Sequence, residues 1–402
     1  MRVLKLLRFV QHAGGAASSA FSAVSALWTF PSILLSAFLV AWGAEAAQFL
    51  MSQGLALAIL AWLQTLPEFA VEAVIAWEAG KDPARAHLAI ANLTGAIRLL
   101  LGLGWPMIYA VYAWYGRRQG NPRRQAITLK EAHATEVVGL IPALLYFVIV
   151  LVKGTIGWID AVILLVLYAL YLLALLRHPP ESGEHVEDAP AVAQWAYRQP
   201  GWRRPAAIGG LFLVGGALLF FTAHPFLESM LAVAGMLGVS QFVLVQWVAP
   251  FLSEFPEKLS AFAWARRVSH APMALMNLVS SNINQWTVLE PMIPLVYGYS
   301  HWRATGTWSD FHFDGEQQLE ILITLLQSTV AVLVLLTLEF QWYEAAGIFV
   351  LWLVQFLVPH WRVEVAWGYG AWIALLVGLY LFKRRRPVAL RAAWQSVRRL
   401  DG

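Results

Sequence analysis

Two glutamates follow a proline inside stretches that are otherwise almost entirely apolar. Glu68 follows Pro67 in TLPEF, and Glu257 follows Pro256 in EFPEK. Proline removes a helix hydrogen bond and frees a carbonyl group one turn back. A carboxylate beside a free carbonyl offers several oxygen atoms, which hard cations such as Na⁺ or Ca²⁺ prefer. We therefore predict that Glu68 and Glu257 bind a cation as its metal ligands; in the alternative, each only hydrogen-bonds a neighbouring helix.

Further polar side chains surround Glu257 in the sequence. Asn277, Ser281 and Asn284 fall at positions i, i+4 and i+7, which places them on one face of a helix. Their oxygen atoms could bind a cation, or they could form hydrogen bonds between helices. Glu254, about one turn before Glu257, adds a carboxylate on roughly the same face.

Arg98 stands in an apolar segment where a permanent positive charge is unexpected. A buried guanidinium cannot lose its proton and needs an anionic partner. We predict that Arg98 balances the charge of Glu68, Glu254 or Glu257 and occupies part of the cation space, which disfavours a divalent ion. In the alternative, Arg98 forms a purely structural ion pair.

The composition predicts that helices crossing a membrane position these residues. Of the 402 residues, 59% are hydrophobic and only 13% are charged, whereas a soluble domain carries about 25% charged residues. Several segments reach the roughly 20 apolar residues that a spanning helix needs. The chain has no cysteine, which excludes disulfides and thiolate metal sites. We predict an all-α polytopic protein of the cytoplasmic membrane, a multi-pass protein whose partners are the lipid bilayer and inorganic cations.

Hydropathy places the spans in two groups of five, followed by one extra C-terminal span. The candidate spans are 32–51, 53–78, 86–115, 136–153, 156–176, 205–236, 239–264, 271–299, 318–338, 341–359 and 366–383.

This pattern divides the chain into five regions. They are an N-terminal amphipathic or additional membrane segment (1–31), a first half (32–176), a polar cytoplasmic linker read as a loop (177–204), a second half (205–360), and an extra transmembrane helix with a basic tail (361–402).

The basic clusters predict the orientation, because Lys and Arg concentrate in cytoplasmic loops. Counting spans places four clusters on one side: Arg117, Arg118, Arg123 and Arg124; Arg203 and Arg204; Arg266 and Arg267; and Lys383, Arg384, Arg385 and Arg386. We predict that the loop 117–130 and the tail from Lys383 are cytoplasmic. The acidic loop 301–317 should then be external.

The two halves contain an internal repeat. Each carries a Pro-Glu element followed by a segment with Asn-Leu and, further on, Pro-Met-Ile. Because five spans separate the copies, the second copy is inverted relative to the first. Inverted repeats are typical of secondary transporters, which bind substrate where the copies meet.

At these motifs the chain resembles the calcium/cation antiporter superfamily, which includes the sodium/calcium exchangers. That family carries two repeats built around G-T-S-L-P-E and G-N-x-x-G-S-N. Here the first element reads LQTLPE at 63–68 and LSEFPE at 252–257. The second reads ANLTGAI at 91–97 and MNLVSSN at 276–282.

The resemblance implies a set of cation ligands in this chain. Glu68 and Glu257 match the central carboxylates, while the first repeat lacks the Ser and Asn of G-S-N. The resemblance and the polar positions described above together give the other predicted cation-binding residues. They are Thr65, Ser253, Glu254, Asn277, Ser281, Asn284 and Gln285.

We predict a secondary active cation antiporter that exchanges Na⁺, H⁺ or Ca²⁺ by alternating access. No nucleotide-binding motif is present, so we expect an ion gradient to drive it, with no nucleotide, nucleic acid or cofactor. No nucleophile–base arrangement suggests an enzyme. The alternative is a transport-dead homologue that acts as a membrane scaffold or sensor.

Overall fold

The computed structural model describes residues 22–50, 65–119, 126–176 and 186–400. Long α-helices dominate these residues. The helices of the first half are α1 (Ala26–Ala47), α2 (Leu66–Lys81), α3 (Ala86–Leu99), α4 (Trp105–Arg118), α5 (Ala134–Gly139), α6 (Ile141–Lys153) and α7 (Trp158–Leu176).

The helices of the second half are preceded by a short helix and followed by two more. They are α8 (Ala191–Tyr197), α9 (Arg203–Leu237), α10 (Gln241–Ser253), α11 (Phe255–Arg266), α12 (Ala271–Asn284), α13 (Glu290–Thr305), α14 (Gly315–Leu335), α15 (Trp342–Leu357), α16 (Arg362–Leu381) and α17 (Val388–Leu400).

The internal repeat is visible as a match between helix boundaries. Residue i of the first hairpin corresponds to residue i+185 of the second, so that α3 begins at Ala86 and α12 at Ala271. One π-helical segment follows each of these helices, Leu100–Gly104 in the first copy and Gln285–Leu289 in the second. Two sequences that share little identity therefore form the same hairpin with the same irregularity.

Short strand pairs tie the loops together at the two ends of the bundle. Strand β1 (Ala126–Thr128) pairs with β4 (Glu339–Gln341), and β2 (Thr155–Ile156) pairs with β3 (Phe311–His312). The β1–β4 end also holds the contact between Arg385 and Glu344. Following the chain through the helices brings Arg118, Arg203, Arg266 and Arg384 to this end and the acidic loop to the other.

The helix faces are arranged for a lipid environment. Large apolar side chains point outward, such as Val152 with 84% and Phe220 with 79% of its surface exposed, while Glu, Gln and Asn side chains are buried between helices. This is the inverse of a soluble protein, and an apolar surface of this kind marks contact with a membrane. Seven described helices are long and apolar enough to cross one, and two shorter apolar helices accompany them.

The prediction of an all-α polytopic fold is confirmed, with two corrections to local structure. The polar linker 177–204 is not simply a loop, because residues 191–197 form α8, which packs against α1 and α9. The predicted span 239–264 is broken into α10 and α11 at Glu254. The N-terminal segment 1–21 and the start of the span 53–78 lie outside the described residues.

Candidate functional site

The break between α10 and α11 places Glu257 in the first turn of a helix inside the bundle. Glu254 has φ −96° and ψ 2°, outside the helical conformation, and Pro256 follows in the first turn of α11. Proline is tolerated there because the first N–H groups of a helix have no partner within it. Those free N–H groups give the N-terminus a partial positive charge that favours the carboxylate of Glu257. Glu68 has the same position in α2, after Pro67.

Two side chains of α12 bind Glu257. Ser281 Oγ donates to Glu257 Oε2 at 3.1 Å, and Asn277 Nδ2 lies 3.4 Å from Glu257 Oε1. The predicted polar stripe on α12 therefore does face this carboxylate at two of its three positions. The third, Asn284, is buried, and its Nδ2 has no hydrogen-bond partner among the described residues.

Gln285 joins the two repeats. Its Nε2 donates to Glu68 Oε1 at 3.1 Å and to Glu254 Oε1 at 2.9 Å. The carboxyl groups of Glu68 and Glu254 also contact each other, and Glu257 lies within electrostatic range of both. We call Glu68, Glu254, Glu257, Lys258 and Gln285 the central cluster.

Lys258 is the member of the central cluster that the sequence interpretation missed. Its ammonium group pairs with Glu254 Oε2, and only 6% of the Lys258 side chain is exposed. The sequence carried a signal for this contact, since Lys258 lies four residues after Glu254, the spacing of an intrahelical ion pair. The positive charge expected from Arg98 is thus supplied by Lys258.

Arg98 lies in a different network. Its guanidinium pairs with Glu320 on α14 and donates to Gln355 at 3.2 Å. Arg362 also binds Glu320, at 2.8 Å, and Gln246 donates to it at 2.8 Å. The prediction that Arg98 balances the charge of Glu68, Glu254 or Glu257 is wrong, because Glu320 is the anionic partner of Arg98. The alternative, a structural ion pair, is correct.

The spacing of 185 residues that relates α3 to α12 gives Glu257 a second counterpart in the first hairpin, besides Glu68. The residue that corresponds to Glu257 at this constant spacing is Glu72. Asn92 Nδ2 donates to Glu72 Oε2, just as Asn277 approaches Glu257, and each asparagine lies 20 residues after its glutamate. The α2 helix begins one turn earlier than α11, so the Pro-Glu elements are displaced by a turn.

The remaining predicted ligands lie close to the starts of α2 and α11. Thr65 directly precedes α2 and is buried. Ser253 Oγ donates to the backbone of Ala249 at 3.0 Å. Ser253 also lines a small cavity with Glu257 and Ser260, against Ala37 and Ala41 of α1.

The fit of a metal ion can be judged from the carboxylates. Within the described residues, no group of three or more His, Cys, Asp or Glu side chains is placed to hold a metal ion. Lys258 and Gln285 contact the oxygen atoms that such an ion would need. Glu68 and Glu257 are thus brought into one cluster, but they do not form a ready cage.

A wider cavity opens at the end of the bundle with β2 and β3. Its volume is about 720 Å³, and its lining includes Asp82, Arg85, His87 and Glu228. Arg85 Nη1 lies 2.7 Å from Glu228 Oε1.

Comparison with known proteins assigns the fold and its motifs to a family. The family model described as "Sodium/calcium exchanger protein" matches residues 21–177 and 208–360, most of the chain. The chain belongs to the sodium/calcium exchanger protein family. No curated protein sequence matches it.

Solved exchanger structures share this fold. The H⁺/Ca²⁺ exchanger CAX is 30% identical, with a TM-score of 0.83, over 98% of this chain and 96% of that one. The sodium-calcium exchanger NCX_Mj, soaked with 10 mM Na⁺ and zero Ca²⁺, is 16% identical with a TM-score of 0.51, over 85% of this chain and 99% of that one. The same exchanger soaked with 100 mM Na⁺ and 10 mM Sr²⁺ is 17% identical with a TM-score of 0.52, over 85% of this chain and 99% of that one. The chain described here is therefore a multi-pass membrane protein of a cation-transporting family.

Proposed function

We propose that this exchanger is a secondary active antiporter in which the central cluster binds the transported cation. The observation that carries the proposal is that Glu68, Glu254 and Glu257 of the two repeats meet at the N-terminal ends of α2 and α11, with Glu68 and Glu254 buried and Glu257 partly exposed. Buried carboxylates in membrane proteins mark ion paths and proton relays. Broken helices at a repeat interface are the usual place for a transporter's ion site.

Lys258 supports proton or monovalent-ion coupling for this site. Its ammonium supplies one of the positive charges that the three carboxylates of the cluster need. A divalent cation thus gains less from this cluster than from the same carboxylates without a lysine. The similar structure of the H⁺/Ca²⁺ exchanger CAX supports protons as one exchanged ion. We propose that protons and an inorganic cation compete for the cluster.

Alternating access would let the cluster face each side of the membrane in turn. The small cavity beside Glu257 lies against α1, and α1 packs along α9. We propose that movement of this helix pair against the two hairpins opens and closes the route to the cluster.

Ion flux from proteoliposomes tests the proposed function. The purified protein is reconstituted and screened for exchange under Ca²⁺, Na⁺, K⁺ and H⁺ gradients. We expect proton-coupled cation flux in one or more combinations. Absence of flux in all combinations, from protein that remains folded, would favour the transport-dead scaffold instead.

A further inference from the structure

A second group of buried polar side chains, two carboxylic acids and one amide, lies between α2, α3 and α13, apart from the central cluster. It consists of Glu72, Asn92 and Glu290. Glu72 and Glu290 have no exposed surface, and Asn92 has 1%. We call these three residues the buried polar group.

The oxygen atoms of this group lack hydrogen-bond donors. Asn92 Nδ2 donates to one oxygen of Glu72. Glu72 Oε1, Asn92 Oδ1 and both carboxylate oxygens of Glu290 have no hydrogen-bond partner among the described residues. A buried acceptor without a donor costs about 1 to 3 kcal/mol, and more when it is charged. These oxygen atoms would therefore be stabilised by a bound proton or by another positively charged group.

The charges around the group do not supply that positive centre. The charged group that acts on Glu290 is Glu72, which is also an acid. Glu68, one turn away on α2, is a further acid near Glu72. No Lys, Arg or His of the described parts of α1, α3, α9, α10 or α13 forms an ion pair with Glu72 or Glu290.

Two other buried carboxylates of the described residues have basic partners. Glu254 has Lys258, and Glu320 has both Arg98 and Arg362. Two neighbouring carboxylates without a basic partner cannot both remain ionised, because burial and like charge oppose the second charge. A bound proton removes one charge and provides a donor for an oxygen that lacks one.

We propose that at least one of Glu72 and Glu290 holds a bound proton, and that the two acids form a proton-binding site separate from the central cluster. The two acids come from opposite repeats, since Glu72 belongs to the first hairpin and Glu290 to the second. Glu290 stands where the first hairpin has Trp105, so the group has no symmetric copy. Its use for the exchanged proton rests on the proposed function; proton binding itself does not.

Infrared difference spectroscopy of detergent-purified protein with ¹³C-labelled glutamate tests the proposal. The spectrum of the unmodified protein is compared at neutral pH with those of Glu290→Gln and the double variant E72Q/E290Q. We expect the double variant to lose a protonated-carboxyl signal. Glu78→Gln is the control on the same helix, where Glu78 pairs with the exposed Lys81, and it should lose only an ionised-carboxylate signal.

Two results would overturn the proposal. One is a double-variant difference spectrum that contains only ionised-carboxylate signals. The other is that the protonated signal absent from the double variant also disappears from the unmodified protein when Na⁺ or Ca²⁺ is added, which would identify a metal site at Glu72 and Glu290. If the double variant does not fold, Glu290→Gln gives the same comparison. The spectra need no transport, so their outcome is distinct from failure of exchange.

Discussion

Lys258 sets the charge of the central cluster at the scale of single residues. It lies among Glu254, Glu68 and Glu257 and pairs directly with the first. A tethered ammonium can offset carboxylate charge without leaving the protein, so an inorganic cation has to bind beside it or displace it. The selectivity of the exchanger should therefore depend on this side chain.

Replacement of Lys258 by methionine should increase the dependence on divalent cations. The change leaves Glu254 buried without its partner, which destabilises the fold, and a bound Ca²⁺ can replace the lost charge. A ligand at 100 times its Kd stabilises the folded state by about 2.7 kcal/mol. We expect the melting temperature of Lys258→Met to rise with added Ca²⁺ more than that of the unmodified protein.

The matched control is Lys81→Met, which breaks an exposed pair with Glu78. It should leave the Ca²⁺ response unchanged. An equal Ca²⁺ response in the unmodified protein, Lys258→Met and Lys81→Met would show that Lys258 does not influence cation binding.

Arg98 should contribute to stability and not to ion selectivity. Arg98→Met removes one of the two guanidinium groups on Glu320, while Arg362 remains. We expect a loss of about 3 kcal/mol in the free energy of unfolding, at the low end for a broken buried pair, measured by thermal unfolding in detergent. Ca²⁺ affinity by calorimetry should not rise.

The comparison variant is Arg118→Met, in which an exposed guanidinium over the Trp114 ring is removed. Its effect should stay within about 0.5 kcal/mol. A clear gain of Ca²⁺ affinity in Arg98→Met would place Arg98 in the ion site after all.

The sequence predicted the acids better than their partners. Glu68 and Glu257 stood out because carboxylates are rare in apolar segments. Their neighbour Ser281 followed from helical spacing, and Gln285 followed from the family resemblance. The partner of Arg98 did not follow, since Glu320 is 222 residues away and only the tertiary packing brings it near.

At the scale of elements, the close packing of α3 against α10 holds the first hairpin beside the broken helix. Gly95 makes this approach possible: a Cβ at this position would lie 1.8 Å from the carbonyl oxygen of Gln246. Backbone atoms cannot move aside as a flexible side chain can, so the helices would have to separate. Gln246 also bonds Glu320, which links this contact to the Arg98 network.

Gly95→Ala should therefore disrupt folding although alanine favours helices. We expect a large fall in melting temperature, with loss of monodisperse protein in size-exclusion chromatography. Gly209→Ala, in α9, is the control, because nothing lies within 4 Å of a Cβ there. If Gly95→Ala were as stable as Gly209→Ala, the contact between α3 and α10 would be looser than described.

Helix positions were predictable because long apolar segments must satisfy their backbone hydrogen bonds internally in lipid. Irregular elements were not. The π-helical segments at Leu100–Gly104 and Gln285–Leu289 have no sequence signature that the repeat alignment could reveal. Helix α8 lay in a polar linker, and its apolar contacts with α1 and α9 form only in the folded bundle.

At the scale of the whole molecule, the orientation in the membrane remains a prediction. Single-cysteine labelling tests it cleanly, since the chain has no native cysteine. Thr307→Cys and Arg118→Cys place exposed thiols at opposite ends of the bundle. We expect an impermeant reagent outside intact cells to label position 307 and spare position 118, because basic clusters stay in the cytoplasm. The reverse pattern would invert the orientation.

Exchange by Glu68→Gln and Glu257→Gln in proteoliposomes tests the central claim most directly. Each change keeps the shape of the side chain and removes its charge, and both variants are compared with Glu316→Gln, an exposed glutamate at the start of α14. Our account predicts that cation flux collapses in the two cluster variants, with folding preserved, and stays at the unmodified level in Glu316→Gln. Near-normal flux in both Glu68→Gln and Glu257→Gln would contradict it.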